Sequence, residues 1–252
     1  MIVLVTGASS GFGRAIAKKF GENGHKVIAL ARRKERLQSL QKEIPYCEIL
    51  PCDICDKKAV KQALEALPQD FKSIDILVNN AGLALGIEPA QMCDFKDWER
   101  MISVNVTALS YLTHLVLPQM VERKSGHIIT LGSIAGKYPY PGGNVYGATK
   151  AFVKQFALGL RADLAGTNVR VSDIQPGLAE SEFSLVRFKG DKKRANALYE
   201  GSNALQPQDI AEAVYWVATL PKHININTLE MMPTSQSFST LAVHKEYSFL
   251  TK

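Results

Sequence analysis

A short apolar run, Ile2–Val5, passes directly into Thr6-Gly7-Ala8-Ser9-Ser10-Gly11-Phe12-Gly13 and then into a helical pattern from about Gly11 to Asn23. A strand that turns on glycines into a helix restricts the possible folds sharply. The next strand must lie parallel to the first, with the helix as crossover. Gly7 permits the tight turn, Gly11 lets the backbone approach a pyrophosphate, and Gly13 lets the helix pack closely on the sheet. The helix N-terminus would then face the phosphates with unpaired N–H groups and the positive end of its dipole. The spacing is G-x3-G-x-G, not the commoner dinucleotide spacing G-x-G-x-x-G. The glycines alone are a weak signal; their place after the first strand favours a bound dinucleotide.

The rest of the chain repeats the alternation. Strands are predicted at Val27–Leu30, Ile49–Leu50, Ile76–Val78, Ile128–Leu131, Val169–Ile174 and Leu229–Met231. Helices are predicted at Lys34–Glu43, Lys57–Leu67, about Asp97 to Arg123, Val145–Leu164 and Pro207–Leu220. This order implies an α/β fold of Rossmann type, a doubly wound parallel sheet with helices on both faces. No linker, repeat or low-complexity segment divides the 252 residues, so they read as one dinucleotide-binding catalytic domain. The stretch 178–206 has no clear strand and is the expected substrate lid.

Where the positive charge falls bears on partners. The chain carries 30 Lys+Arg against 24 Asp+Glu, a formal +6. That balance admits an ordinary solvated surface, a nucleic-acid face or a site for an anionic cofactor. The second predicted strand ends in Ala31-Arg32-Arg33, where an NAD-binding site would carry an acid for the ribose hydroxyl. Guanidinium groups pair with phosphate oxygens, so Arg32 and Arg33 point to the 2′-phosphate of NADP(H). A second basic cluster, Arg187 to Arg194, lies in the expected lid, and the remaining excess reads as surface. Neither a nucleic-acid partner nor a membrane is expected. No window approaches the roughly 18 uninterrupted apolar residues of a membrane span.

The N-terminus shows no basic leader, long apolar core or cleavage site, which leads us to expect a cytoplasmic protein with reduced cysteines. Cys47, Cys52 and Cys55 imitate part of an iron–sulfur spacing, with Cys93 as the only available fourth ligand. They fall in or beside a predicted strand, and no metal site is expected. The sequon Asn105-Val106-Thr107 is assigned no glycosylation role.

Tyr146 and Lys150 stand at i and i+4, on one helix face. A nearby ammonium and an oxidised nicotinamide would both favour the tyrosinate form of a group whose ordinary pKa is near 10. Ser133 follows the strand Ile128–Leu131, where its hydroxyl could meet a substrate oxygen. Alone, the Tyr-x3-Lys pattern is common; beside the glycine loop it is specific.

Taken together, these motifs resemble those of the short-chain dehydrogenase/reductase family over about residues 1–235. The match includes Gly7, Gly11 and Gly13, Asp53, Asn79-Asn80-Ala81-Gly82, Asn105, Ser133, Tyr146, Lys150 and Pro176-Gly177. The resemblance implies that Asp53 and Ile54 contact adenine, that Asn80, Ala81 and Gly82 line the cofactor, and that Pro176, Gly177 and Leu178 flank the nicotinamide. It further implies a water held by Asn105 in a proton relay, Lys150 on the nicotinamide ribose, and assembly as a homotetramer. Ser181 stands where the family usually has a carboxamide-binding Thr. Within the family, four stretches are similar to bacterial NADP-dependent 3-hydroxy acid dehydrogenases acting on serine or allo-threonine. They are Asn80 to Gly86, Pro139 to Tyr146, Val186 to Asp191 and Asn225 to Pro233. The expected activity is therefore hydride transfer between NADP and a 3-hydroxy acid, such as serine, allo-threonine, 3-hydroxyisobutyrate or 3-hydroxypropionate. Arg187 is the candidate for the substrate carboxylate, with Lys189 nearby. The alternatives are a carbonyl reductase for another ketone or aldehyde and, in a different class, a non-catalytic nucleotide- or nucleic-acid-binding protein.

Overall fold

The computed structural model describes residues 1–238 and Val243. Among these, seven strands form one sheet: β1 Ile2–Thr6, β2 Lys26–Ala31, β3 Cys47–Pro51, β4 Ile76–Asn79, β5 Gly126–Leu131, β6 Val169–Pro176 and β7 Thr228–Met231. Their order is β3-β2-β1-β4-β5-β6-β7, and every neighbouring pair is parallel. The crossovers carry α1 Gly11–Glu22, α2 Lys34–Glu43, α3 Lys57–Glu65, α4 Phe95–Ile102, α5 Leu109–Glu122, α6 Asn144–Asp163 and α9 Pro207–Thr219.

Strand side chains alternate between two apolar layers, as the pleat requires. Val3, Val5, Val27 and Ala29 face Ile16, Phe20, Leu37, Leu40 and Val214 from α1, α2 and α9. Leu4, Ile28, Leu77 and Ile128 face the opposite layer, with Val60, Leu112, Val116 and Met120 from α3 and α5. Both faces are covered, which explains why the strands read as continuous apolar runs rather than alternating ones. The strand order reverses between β1 and β4. The crevice beyond their C-terminal ends is where open α/β sheets bind ligands.

One sequence expectation needs correction and one gains detail. The helix expected over Asp97 to Arg123 is continuous helical backbone, but a π-helical turn, Ser103–Ala108, separates α4 from α5. The apolar pattern continues through it, so periodicity did not reveal the extra residue. The span Phe95–Glu122 is long and apolar enough by composition to cross a membrane. Here Leu112, Val116 and Met120 are instead packed against the sheet. The segment 178–206 is also not bare loop. It contains α7 Glu182–Arg187 and α8 Lys192–Ala197, and a bridge between Ala179 and Leu205 closes its base.

Candidate active site

A cleft of about 290 Å³ opens at the C-terminal edge of the sheet, over the β1/β4 junction. At its phosphate end, Gly7 takes φ +68°, a left-handed conformation that favours glycine. Gly13 is needed for a different reason: a Cβ there would lie 2.5 Å from both Asn80 Nδ2 and the Gly7 carbonyl oxygen. Thr6 and Asn80 brace this junction. The Asn80 amide donates to the Thr6 carbonyl at 2.7 Å, and the Thr6 hydroxyl accepts the Asn80 and Ala81 N–H groups at 3.0 and 2.8 Å. Ser10 caps α1 in extended conformation, with no side-chain bond to the first-turn N–H groups. Those donors suit a pyrophosphate.

Most predicted cofactor residues line this cleft: Gly7, Ser9, Ser10, Gly11, Phe12, Arg32, Arg33, Asp53, Ile54, Asn80, Ala81, Gly82, Tyr146, Lys150, Pro176 and Ser181. Four predicted cofactor residues do not line it. Ala8 is buried in the core and its N–H is bonded to the Leu30 carbonyl. Gly13 packs beneath the loop. The N–H groups of Gly177 and Leu178 go to Met231 O and Gln236 Oε1, so these two residues act as scaffold here.

The basic end is more connected than its sequence suggests. Arg33 donates from Nε and Nη2 to Ser9 Oγ at 3.1 and 3.0 Å, and from Nη2 to Ser10 Oγ at 2.5 Å. Its Nη1 pairs with Glu182 Oε2 at 2.9 Å, and Arg36 holds the other carboxylate oxygen at 2.5 Å. Burial would raise the Glu182 pKa, but the two arginines outweigh it and hold the carboxyl below its usual range. At the adenine end, Arg100 pairs with Asp53 Oδ2 at 3.0 Å, while Asp53 Oδ1 accepts the Cys55 N–H at 2.9 Å. Burial is again opposed, by these bonds, and the Asp53 pKa is lowered. Arg36, Arg100 and Glu182 were missed by sequence reasoning. Arg36 belongs to the same basic run as Arg32 and Arg33. Arg100 and Glu182 carry no local signal, because their partners are 47 and 149 residues away.

The reactive end is built on α6 and the end of β5. Tyr146 and Lys150 are both buried on one face of α6. The Lys150 ammonium donates to the Leu131 carbonyl at 2.6 Å and lies 5.9 Å from the Tyr146 ring centroid. Burial draws its pKa down to about 8, opposed by Asp173. Burial and Tyr140 push the Tyr146 phenol above its ordinary value, while Ser133 and Arg187 oppose them. The Lys150 ammonium is directed at the Leu131 carbonyl, and among the protein's own groups desolvation dominates at Tyr146. The protein's own groups favour the neutral phenol, the form that donates a proton, while an oxidised nicotinamide beside it would favour the tyrosinate.

Ser133 caps a short turn, its hydroxyl oxygen accepting the Ala135 N–H at 3.1 Å, and its side chain opposes the rise in the Tyr146 pKa by hydrogen bonding. Asn105 sits in the π-helical turn. Its amide donates to Leu83 O at 2.8 Å and Thr149 Oγ1 at 3.0 Å, and its oxygen accepts the Leu83 N–H at 2.9 Å. The side chain thus ties the strand-β4 loop to α6. Ser181 lies beside Gly11, and its hydroxyl caps α7 through the Phe183 N–H at 3.2 Å. Arg187, at the end of α7, reaches back over the site. Its guanidinium carbon is 5.3 Å from the Tyr140 ring centroid and 5.9 Å from that of Tyr146, and Nη2 donates to Tyr140 Oη at 2.8 Å. Lys189 instead pairs with Asp97 at 2.7 Å.

The four cysteines are free thiols; burial pushes Cys47 up to about 12 and Cys52 up to about 11. Among the described residues, no group of three or more His, Cys, Asp or Glu could hold a metal ion. The cleft's donors fit a phosphorylated dinucleotide: glycine-loop N–H groups for pyrophosphate, guanidinium groups for a further phosphate, and Tyr146 with Lys150 at the far end.

Comparison with known proteins agrees with this geometry. The short chain dehydrogenase family model matches residues 1–191. The chain is 59% identical over 247 residues to the NADP-dependent 3-hydroxy acid dehydrogenase YdfG of Salmonella typhi, covering 97% of this chain and 100% of that one. It is 52% identical over 245 residues to a serine 3-dehydrogenase of Rhizobium radiobacter, covering 97% and 98%. A solved closed form of serine dehydrogenase complexed with NADP+ superposes with a TM-score of 0.93 at 57% identity, covering 98% of this chain and 100% of that one. With the glycine loop and the Tyr146–Lys150 pair lining one cleft, and Ser133 bonded beside Tyr146, the chain belongs to the short-chain dehydrogenase family.

Proposed function

We propose that this chain is an NADP-dependent 3-hydroxy acid dehydrogenase, which oxidises the hydroxyl-bearing carbon of a 3-hydroxy acid or reduces the corresponding 3-oxo acid. The observation that carries the reading is Arg187, whose guanidinium carbon lies 5.9 Å from the ring of Tyr146. A cation at that distance from the acid/base suits a substrate with a carboxylate two carbons from the reacting alcohol. The names of the similar proteins, NADP-dependent 3-hydroxy acid dehydrogenase and serine 3-dehydrogenase, support the same substrate class. The NADP+ bound to the similar solved structure supports the cofactor.

Bound NADP+ would supply the hydride acceptor and a positive charge beside Tyr146. N–H groups of the glycine loop between Ser9 and Phe12 would hold its pyrophosphate, and Arg32 and Arg33 its 2′-phosphate. Asp53 and Ile54 would border adenine, and Asn80 to Gly82, Pro176 and Ser181 the nicotinamide half, with Gly177 and Leu178 as scaffold behind them. Ser133 orients the substrate oxygen by hydrogen bonding. Tyr146 takes the alcohol proton as tyrosinate in oxidation, the form that the charge of bound NADP+ would favour, and returns it from the phenol in reduction. Lys150 stabilises the charge that develops there and binds ribose hydroxyls. Asn105 keeps the Leu83 turn against α6 and holds the relay water. Arg187 pairs with the substrate carboxylate.

The whole chain would act as one catalytic domain, with 178–206 as its lid; the single sheet supports this. Free cysteines support a reducing, cytoplasmic setting. Assembly as a homotetramer belongs to the same reading.

The test is NADP+ reduction, followed by absorbance, across serine, allo-threonine, 3-hydroxyisobutyrate, 3-hydroxypropionate and simple alcohols. Hydroxy acids should be preferred. Activity on plain alcohols alone would overturn the substrate class. Arg187→Met should raise KM for serine at least tenfold, the loss of about one charge-assisted pair. An unchanged KM would remove Arg187 from the carboxylate site.

A further inference from the structure

Asp173 is fully buried in β6, beside Thr130 of β5 in the strand register. Its Oδ1 accepts the Thr130 hydroxyl at 2.7 Å and its Oδ2 accepts the Gln175 amide at 2.7 Å. Burial raises the Asp173 pKa, while the Gln175 and Thr130 hydrogen bonds, the Lys150 ammonium and the nearby Gly132 N–H oppose it. Gly132 N–H and the Gln175 amide can only donate, so this surrounding suits an ionised acceptor. Buried carboxylates are costly and are retained where they hold something.

What it holds is one peptide unit. The N–H of the Leu131–Gly132 peptide meets Asp173, and the carbonyl of that same peptide receives Lys150 Nζ at 2.6 Å. A planar trans peptide points these groups in opposite directions, so Asp173 and Lys150 grip it from its two ends. Ser133 is the next residue in the chain. Gly132 leaves the room required, since a Cβ there would lie 2.5 Å from Asp173 Oδ1.

We propose that Asp173 is a positioning residue for the reaction: it fixes and polarises the Leu131–Gly132 peptide, which receives the catalytic ammonium and leads into the catalytic serine. The proposal rests on the reading of Lys150 and Ser133 as catalytic. The charge on Asp173 favours the ammonium form of Lys150, against the burial that opposes it. The other groups that bear on the Lys150–Tyr146 pair are Tyr140, Ser133 and Arg187.

The experiment compares Asp173→Asn, Gly132→Ala and Lys150→Ala in the full chain. The readouts are kcat, the pH profile of kcat/KM, and melting temperature. Asp173→Asn keeps the shape of the side chain and removes its charge. It should lower kcat about tenfold and move the alkaline limb of the profile to lower pH by about 0.5–1 unit, because Lys150 then loses its proton more easily. Gly132→Ala displaces the carboxylate from the peptide and should move the limb in the same direction; it carries the test if Asp173→Asn does not fold. An unmoved limb in the folded variants, even with a lowered melting temperature, would mean a merely structural role and overturn the proposal. Near-normal turnover of Lys150→Ala would instead overturn the underlying reading, and the proposal with it. An inactive Lys150→Ala beside unmoved limbs would overturn the Asp173 role alone.

Discussion

Arg33→Ala should change which cofactor the cleft prefers. The Arg33 fork already spans the glycine loop and the lid, with Nε and Nη2 on Ser9 Oγ at 3.1 and 3.0 Å and Nη1 on Glu182 at 2.9 Å. A 2′-phosphate at this end would gain charge-assisted hydrogen bonds, each worth about 1.5–3 kcal/mol when well protected. The Arg33 side chain is 43% exposed, so solvent screens it and the lower figure applies. About 1.5 kcal/mol corresponds to roughly a tenfold loss in NADPH affinity. NADH lacks that phosphate. It would feel only the loosening of Ser9 and Ser10, which affects both cofactors, so the informative quantity is the ratio of the two affinities. Fluorescence titration with NADPH and NADH should show that ratio falling about tenfold in Arg33→Ala. Arg33→Lys, which keeps the charge but not the fork, should fall between the two. The wild-type preference should itself shrink as salt is raised toward about 1 M, where screening acts over roughly 3 Å. A ratio within twofold of wild type in Arg33→Ala would refute the assignment of the 2′-phosphate to this residue.

Tyr146→Phe removes the proton donor and acceptor and should lower turnover by about 10²–10⁴-fold, while NADPH titrates as in the wild type. Near-normal turnover would exclude Tyr146 as the acid/base. Acid stability should depend on His127, which is buried against Ser172 at 2.9 Å and whose pKa burial holds well below 6.5. Below about pH 6.5 the unfolded chain binds a proton there that the folded chain does not, so stability falls as pH drops toward the folded pKa, by at most about 1.4 kcal/mol per pH unit. Urea midpoints measured from pH 7 to 5 should decline less steeply in His127→Gln; an identical slope would rule His127 out as the cause.

Much of the fold was legible because local rules and global packing agree. Most strands are short apolar runs rich in β-branched residues, and crossover helices between them leave few topologies. Boundaries shifted mostly by a residue or two, as expected where helix ends fray. The π-helical turn was not legible. It places Asn105 to bond Leu83 and Thr149, which are 22 and 44 residues away, so no local pattern marks it. The lid helices were hidden for another reason. Each is six residues long, too short for periodicity to register.

Sequence by itself determined the residue types of the site: the glycine loop, the arginines after β2, and Ser133, Tyr146 and Lys150. These are chemical requirements tied to chain position, so they are written locally. Tertiary structure decided their electrostatics. Lys150 turns to the Leu131 carbonyl, and burial is the largest protein contribution to the raised Tyr146 pKa. Glu182 arrives from α7 to bridge Arg33 and Arg36, and Asp173 arrives from β6 to grip the peptide beneath Ser133. Charge interactions and desolvation depend on distance and on exclusion of water. Both are fixed only when strands and helices far apart in the chain have packed.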